Sequence, residues 1–192
     1  MRSRRCVAAG CWTVGFALVA VALADRVFAF QIGTGLAVRP VSVAELTLAM
    51  AACSLPALTW PQLWTWERTG CRLVVRVVSG SLVPSLVGLL ALVPVVSARP
   101  AAPAEVIAAN VLLCAAVATL AVIGIGRQAG PALGFACYLA GIATQALEMP
   151  VPLPLPAQAG ASAWQLLVAL GCLAVIAGGC AVSLGSSAWG RD

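Results

Sequence analysis

Long apolar runs, separated by short polar connections, dominate the chain. Six runs reach the roughly 17–25 residues needed to cross a bilayer, at approximately residues 6–24, 41–60, 77–98, 106–126, 132–149 and 163–184. No interval between them is long enough to fold a separate domain. The pattern predicts an all-α polytopic membrane protein, in which a bundle of six transmembrane helices forms a single domain over residues 1–192.

Composition agrees with a membrane location. The chain is 62% hydrophobic and 9% charged, whereas soluble domains are roughly 45–50% apolar and about 25% charged. All basic residues are arginine, with no lysine and no histidine. Together with the dominance of alanine, valine, leucine and glycine, this favours a high-GC bacterium, so the expected location is the bacterial plasma (inner) membrane.

The arginines predict the orientation, because segments rich in basic residues tend to stay in the cytoplasm. A cytoplasmic amino terminus leaves only three arginines outside, Arg26, Arg39 and Arg99. The other arginines then lie inside, at positions 2, 4, 5, 68, 72, 76, 127 and 191. We therefore expect both termini in the cytoplasm. The net charge of +5 indicates topology and gives no reason to expect nucleic acid as a partner.

The first apolar run has two interpretations. The motif MRSRR, an apolar run and Ala22-Leu23-Ala24 also resemble a signal peptide with an A-x-A cleavage site. The run is about 19 residues long, however, and the apolar part of a cleaved signal is usually about 7–15 residues. A retained transmembrane helix is the favoured interpretation.

The sequence contains few of the residues that a catalytic site needs. Without histidine there is no Ser-His pair, no histidine-bound metal and no imidazole acid or base. The eight cysteines form no C-x-x-C motif and mostly lie inside apolar runs, where cysteine packs as a small hydrophobe. GIGRQAG at 124–130 lacks the spacing of a phosphate loop and favours a tight turn. We expect no enzyme activity, no cofactor and no metal.

The stretch TWPQLWTWERTGCRLVVR at 59–76 combines tryptophans with arginines. Read as a helix, it places Trp60, Trp64 and three arginines at successive four-residue steps. The three arginines form one basic edge. Such a segment suits the headgroup region of a bilayer. It is also the longest predicted cytoplasmic connection, so it can dock a partner protein. Both interpretations stay open, and the predicted docking residues are Trp64, Trp66, Arg68, Arg72 and Arg76.

Polar residues near the outer ends of the runs are few, and ionisable groups in a membrane indicate function by default. Six of them could line an outward-facing polar vestibule: Asp25, Arg26, Glu45, Asn110, Gln145 and Glu148. The alternative is that they cap helix ends and pair with one another at the interface.

Between the fifth and sixth runs, prolines alternate with apolar residues in MPVPLPLPAQAGAS at 149–162. This composition excludes a helix and favours an extended, polyproline-like segment. Because its valine and leucines suit water poorly, we expect it to lie on the outer face of the bundle or to dip into it.

This layout resembles the permease subunits of ABC-type exporters. The shared features are six spans, a cytoplasmic amino terminus, a long cytoplasmic loop between the second and third spans and an irregular apolar segment before the last span. The resemblance covers the whole chain but includes no signature motif. It implies that the loop docks on a separate cytoplasmic ATPase, and that the transport path runs between this subunit and a second permease subunit, of the same or a different chain.

Two other functional classes fit the same pattern. Substrate-capturing membrane subunits of vitamin uptake systems are also six-span proteins of about this size. A non-transporting membrane assembly or immunity protein is the third class. The lipid bilayer is an expected partner in all three.

Overall fold

The computed structural model describes residues 2–30, 39–59, 71–97, 103–147, 155–156 and 163–182, and these residues are mostly helical. They form six helices and one two-stranded sheet, in the order α1 (Arg2–Ala22), β1 (Val27–Phe30), β2 (Arg39–Ser42), α2 (Val43–Thr59), α3 (Cys71–Ser97), α4 (Ala104–Gly124), α5 (Ala129–Ala146) and α6 (Ala163–Val182). The helical fold class predicted from the apolar runs is confirmed at this level.

Each predicted run corresponds to one helix, with the largest boundary difference in the third. That run was predicted to begin at residue 77, but α3 begins at Cys71. Arg72 and Arg76 therefore lie on the first turns of α3, continuous with its apolar part. Valine and leucine occur on both sides of the boundary, so periodicity alone does not locate its start.

A short antiparallel hairpin, which the sequence analysis did not predict, joins α1 to α2. Val27 pairs with Ser42 and Phe30 pairs with Arg39, and the N–H of Val43 donates to the carbonyl of Arg26 at 2.9 Å. The apolar residues of β1 have the high β-propensity of valine and phenylalanine. The hairpin leads directly into α2, whose first residue is Val43.

Helices α2 and α4 form the centre of the fold. Helix α2 packs against α1, α3, α4 and α5, and α4 packs against α2, α3, α5 and α6. The core consists largely of small residues and leucines from these two helices, such as Ala44, Leu48, Leu55, Val111 and Ala115. We call α2, α4 and α5 the three-helix unit, since each packs against the other two.

The three-helix unit has two distinguishable ends. The hairpin end contains the hairpin and the start of α2. At the turn end, α4 stops at Gly124 and α5 starts at Ala129. The connection bends at Gly126, which has a φ of 135°, a conformation that glycine adopts without steric cost. The structure thus forms a tight turn at GIGRQAG.

Two glycines allow close packing at the turn end. A Cβ atom on Gly130 would lie 2.3 Å from Val122 Cγ2 and 3.0 Å from the carbonyl oxygen of Ala118. A Cβ atom on Gly134 would lie 2.8 Å from Cys53 Sγ. Gly130 and Gly134 are four residues apart on α5, so they face the same side of that helix. Their lack of a side chain lets α5 approach both α4 and α2.

Among the described residues, one helix, Ala104–Gly124, is long and apolar enough to cross a membrane by length and composition. Shorter apolar stretches are Val7–Ala22, Val43–Thr59, Val83–Ser97 and Trp164–Ala174. The buried core helix of a soluble protein passes the same test, so the six-span arrangement stays a prediction.

Candidate functional site

A glutamate is buried inside the three-helix unit and is bound from two other helices. The side chain of Glu45 on α2 is 1% exposed. Its Oε1 accepts a hydrogen bond from Asn110 Nδ2 on α4 at 2.9 Å. The same oxygen accepts a hydrogen bond from the Tyr138 hydroxyl on α5 at 3.1 Å. Asn110 and Tyr138 are themselves fully buried. We call these three residues the Glu45 cluster.

The hairpin fixes the position of Glu45. Ser42 is the last residue of β2, and its Oγ accepts a hydrogen bond from the N–H of Glu45 at 2.9 Å. This is the N-cap interaction that satisfies a free N–H group in the first turn of a helix. Glu45 is the third residue of α2, within its first turn.

Tyr138 was not among the residues predicted from the sequence. It is the only tyrosine in the chain, and it lies in the middle of an apolar helix. A buried tyrosine hydroxyl usually finds a hydrogen-bond partner, and this rule could have identified it. Phe135, one turn earlier on α5, stacks on the Tyr138 ring with 6.4 Å between centroids. The ring is therefore held by packing while its hydroxyl reaches Glu45.

The Glu45 cluster joins three helices through one carboxyl group. Asn110 and Glu45 are 65 positions apart in sequence, and Tyr138 and Glu45 are 93 apart. Inside a low-dielectric core such hydrogen bonds are electrostatically stronger than in water, and an unpaired polar group there is costly. Separating α2 from α4 or α5 at this level therefore requires new partners for the carboxyl, the amide and the hydroxyl.

The structure describes three of the other four residues of the predicted vestibule. Asp25 and Arg26 are exposed, between α1 and β1. Gln145 is half-buried near the end of α5, and Glu148 lies outside the described residues. Glu45 and Asn110, in contrast, are enclosed by the bundle. The vestibule as a whole stays a prediction.

The predicted docking residues are only partly described. Trp64, Trp66 and Arg68 lie outside the described residues. Arg72 and Arg76 belong to the first turns of α3.

In the predicted proline-rich segment at 149–162, the structure describes only Leu155 and Pro156. Leu155 is half-buried and Pro156 is buried.

A second polar contact joins the helices at the turn end. Arg127, in the turn between α4 and α5, donates from Nε to the carbonyl oxygen of Ala57 on α2 at 2.5 Å. In the sequence, Arg127 was evidence for orientation alone. Among the described residues, no group of three or more histidine, cysteine, aspartate or glutamate residues is arranged to hold a metal ion.

Comparison of the chain with protein-family models, curated proteins and solved structures found no match. The resemblance to exporter permeases therefore depends on topology alone.

Proposed function

We propose that this protein is a six-span subunit of a bacterial plasma-membrane transporter that is energised by a separate cytoplasmic ATPase. The observation that carries the proposal is the Glu45 cluster. Ionisable side chains inside a membrane are costly, face the interior of the bundle and mark substrate or ion pathways. Glu45 has these properties, since it is buried and is held by donors from two other helices.

The level of the cluster along the helices supports this assignment. Asn110 lies six residues inside α4, which begins at Ala104. At about 1.5 Å per residue, this distance is roughly 9 Å along the helix axis. In a spanning helix this level is below the headgroups, within the hydrocarbon region. A polar group kept at that depth is more costly than one at a helix end.

The outer surface of the bundle supports a membrane location. Large apolar side chains that are more than half exposed occur on several helices: Val14 and Leu18 on α1, Val87 and Val95 on α3, and Trp164 and Leu167 on α6. Soluble monomers rarely expose large contiguous apolar patches. Lipid chains would cover these side chains, and helices of 17–27 residues suit a bilayer core of about 30 Å.

The segment at positions 60–70, with the start of α3, would receive the ATPase. It connects the end of α2 at Thr59 to the start of α3 at Cys71. Arg68, Arg72 and Arg76 supply cations for an acidic partner surface, and Trp64 and Trp66 supply apolar anchors. In an exporter, a second permease subunit would complete the transport path.

A substrate-capturing subunit of an uptake system is the second candidate. It is favoured by one observation: the Glu45 cluster is enclosed within a single chain. A path between paired subunits would instead need polar residues on the surface that faces the second subunit. Both candidates use a separate ATPase, and they differ in where the substrate binds.

Affinity purification in mild detergent tests the proposal. We expect the wild-type protein to retain an ATPase, and the Arg68→Gln and Arg72→Gln double variant to lose it while staying inserted and abundant. Each arginine contributes only about 1 kcal/mol to lipid attraction, so membrane insertion should survive. Trp64→Ala and Trp66→Ala should have a similar effect.

If the wild-type protein retains no ATPase, or if the variants retain it undiminished, the docking assignment is wrong. The tryptophans and arginines would then form an interfacial belt. A tightly co-purifying small molecule that is lost in Glu45→Gln would favour the substrate-capturing subunit over the exporter.

A further inference from the structure

Three cysteines meet inside the three-helix unit, next to the Glu45 cluster. Cys53 lies on α2, Cys114 on α4 and Cys137 on α5, so each helix supplies one thiol. Cys53 and Cys114 are fully buried, and a hydrogen bond joins their thiols. Cys137 is half-buried and is close enough to Cys114 to interact with it electrostatically. The fold thus brings together thiols that are far apart in the sequence.

The packing around Gly134 independently places the Cys53 sulfur against α4. A Cβ atom on Gly134 would lie 2.8 Å from Cys53 Sγ and 3.1 Å from Ala118 Cβ. Ala118 is one turn after Cys114 on α4, so these two residues are on the same side of that helix. Cys53 therefore points into the contact of α2 with α4 and α5, toward the side of α4 that carries Cys114.

Two neighbouring thiols in an apolar core can bind a soft metal ion or form a disulfide. A zinc ion needs about four ligands. In the part of the chain that the structure describes, no group of three or more histidine, cysteine, aspartate or glutamate residues is arranged to hold a metal ion. A monovalent metal ion between two thiolates would leave a net negative charge in the core, where charge is costly. A disulfide replaces two neutral thiols with a neutral bond, so these surroundings favour the disulfide.

We propose that Cys53 and Cys114 form a disulfide in the presence of hydrogen peroxide, and that this disulfide locks α2 to α4. The peroxide oxidises one thiol to a sulfenic acid and releases one water molecule. The second thiol attacks the sulfenic sulfur, forms the S–S bond and releases a second water molecule. Two thiols and one H₂O₂ thus give one disulfide and two waters, and two electrons pass from the sulfurs to the peroxide. Hydrogen peroxide is small and uncharged, so it can reach these sulfurs when the packing opens.

The lock acts on the Glu45 cluster. Asn110 is one turn before Cys114 on α4, or about 6 Å along the helix axis, and α2 carries both Glu45 and Cys53. The disulfide would therefore fix α2 to α4 beside the hydrogen bond that Asn110 donates to Glu45. Peroxide would hold the cluster closed, and reduction of the disulfide would release it. This redox control goes beyond the proposed function and does not depend on what the protein transports.

The experiment uses the full-length, reduced protein in lipid nanodiscs, with all eight cysteines in place. Hydrogen peroxide is added, the remaining thiols are alkylated in denaturant, and the linked peptides are identified by mass spectrometry. We expect the peptide that links Cys53 to Cys114 to form at least about tenfold faster than any other intramolecular pair, because neighbours held in place react without a search. Peroxide treatment after unfolding in SDS should remove this preference.

Cys137→Ala is the matched control variant, because it removes the third thiol of the group and leaves the pair. This variant should still form the link, whereas Cys53→Ala and Cys114→Ala should not. The oxidised wild-type protein should unfold at a higher SDS fraction than the reduced protein, since a cross-link restricts the unfolded chain. A phosphine reductant should reverse this shift.

Absence of the link between Cys53 and Cys114 from the folded protein would overturn the inference, as would links to Cys137 that form equally fast. A link that leaves the SDS transition unchanged would show that it does not lock the helices. None of these measurements uses the ATPase. If the wild type retains no ATPase but the link forms and shifts the transition, the proposed function is wrong and the redox lock stands. If an ATPase is retained but the link does not form, the reverse conclusion follows.

Discussion

The two ends of the three-helix unit are joined by opposite kinds of residue. At the hairpin end, Glu45, Asn110 and Tyr138 bring polar side chains from three helices into one cluster. At the turn end, Gly130 and Gly134 bring the helices together because they have no side chains. Lipid is as apolar as leucine, so helices in a membrane associate through close packing and hydrogen bonds. This unit uses one of these means at each end.

The difference suggests a division of roles. The close packing at Gly130 and Gly134 depends on the shapes of the helices, and no other group can replace it. We therefore expect the turn end to be rigid. A hydrogen bond can be exchanged for another, so the hairpin end can open if new donors arrive. In the proposed transporter, we therefore expect the hairpin end to respond to a substrate and the turn end to keep its packing.

The largest expected effect comes from adding a methyl group at the turn end. Gly130→Ala places a Cβ atom against Val122 Cγ2 and the carbonyl oxygen of Ala118. The backbone oxygen cannot move away cheaply, so we expect a loss of about 3 kcal/mol in the free energy of unfolding. Unfolding by SDS in mixed micelles measures this loss.

Gly171→Ala on α6 is the matched control. Among the described residues, no atom outside the adjacent turns of α6 lies within 4 Å of the added Cβ, so this variant should be neutral or more stable by about 0.5–1 kcal/mol. Adding Val122→Ala to Gly130→Ala should recover part of the loss, because it removes the contact with Val122 Cγ2. The recovery should be incomplete, because the added Cβ still meets the carbonyl oxygen of Ala118. Equal stability of the two alanine variants would show that the glycines do not set the packing.

An intermediate effect is expected at the hairpin end. Glu45→Leu removes the acceptor and leaves the Asn110 amide and the Tyr138 hydroxyl in an apolar core, which we expect to cost about 2 kcal/mol. Glu45→Gln keeps a side-chain oxygen and should cost less. The same SDS titration measures both. If Glu45→Leu is as stable as the wild type, the cluster does not hold the helices together.

The smallest effect is expected for Tyr138→Phe. This variant removes one hydrogen bond to Glu45 and keeps the ring that stacks on Phe135. Measured hydrogen bonds between membrane helices average about 0.6 kcal/mol, and we expect a loss of that size in SDS unfolding. A loss as large as that of Gly130→Ala would mean that the hairpin end is the more rigid one.

The helices were predictable because each produces a long apolar run. The hairpin was not, since the four-residue strands β1 and β2 are too short for a periodic signal and β2 overlaps the predicted second run. Glu45 and Asn110 were predicted as candidate residues from their charge and polarity. Their contact depends on the packing of α2 against α4, which no local pattern contains.

Other parts of the site left signals that were not used. The single tyrosine in an apolar helix indicated a buried hydroxyl, and the four-residue spacing of Gly130 and Gly134 indicated close helix packing. Arg127 was a sign of orientation in the sequence, and only the structure identifies its contact with the carbonyl oxygen of Ala57.

The cysteine next to Gly134 has a practical consequence for chemical labelling. Cys53 is 1% exposed, and its Sγ occupies the space beside Gly134 on α5. A thiol reagent can reach this sulfur only when the packing around it opens, whereas Cys11 is exposed in the folded protein. In detergent, the rate at which Cys53 is alkylated would therefore measure how often the packing between these helices opens, with no label other than the thiol reagent.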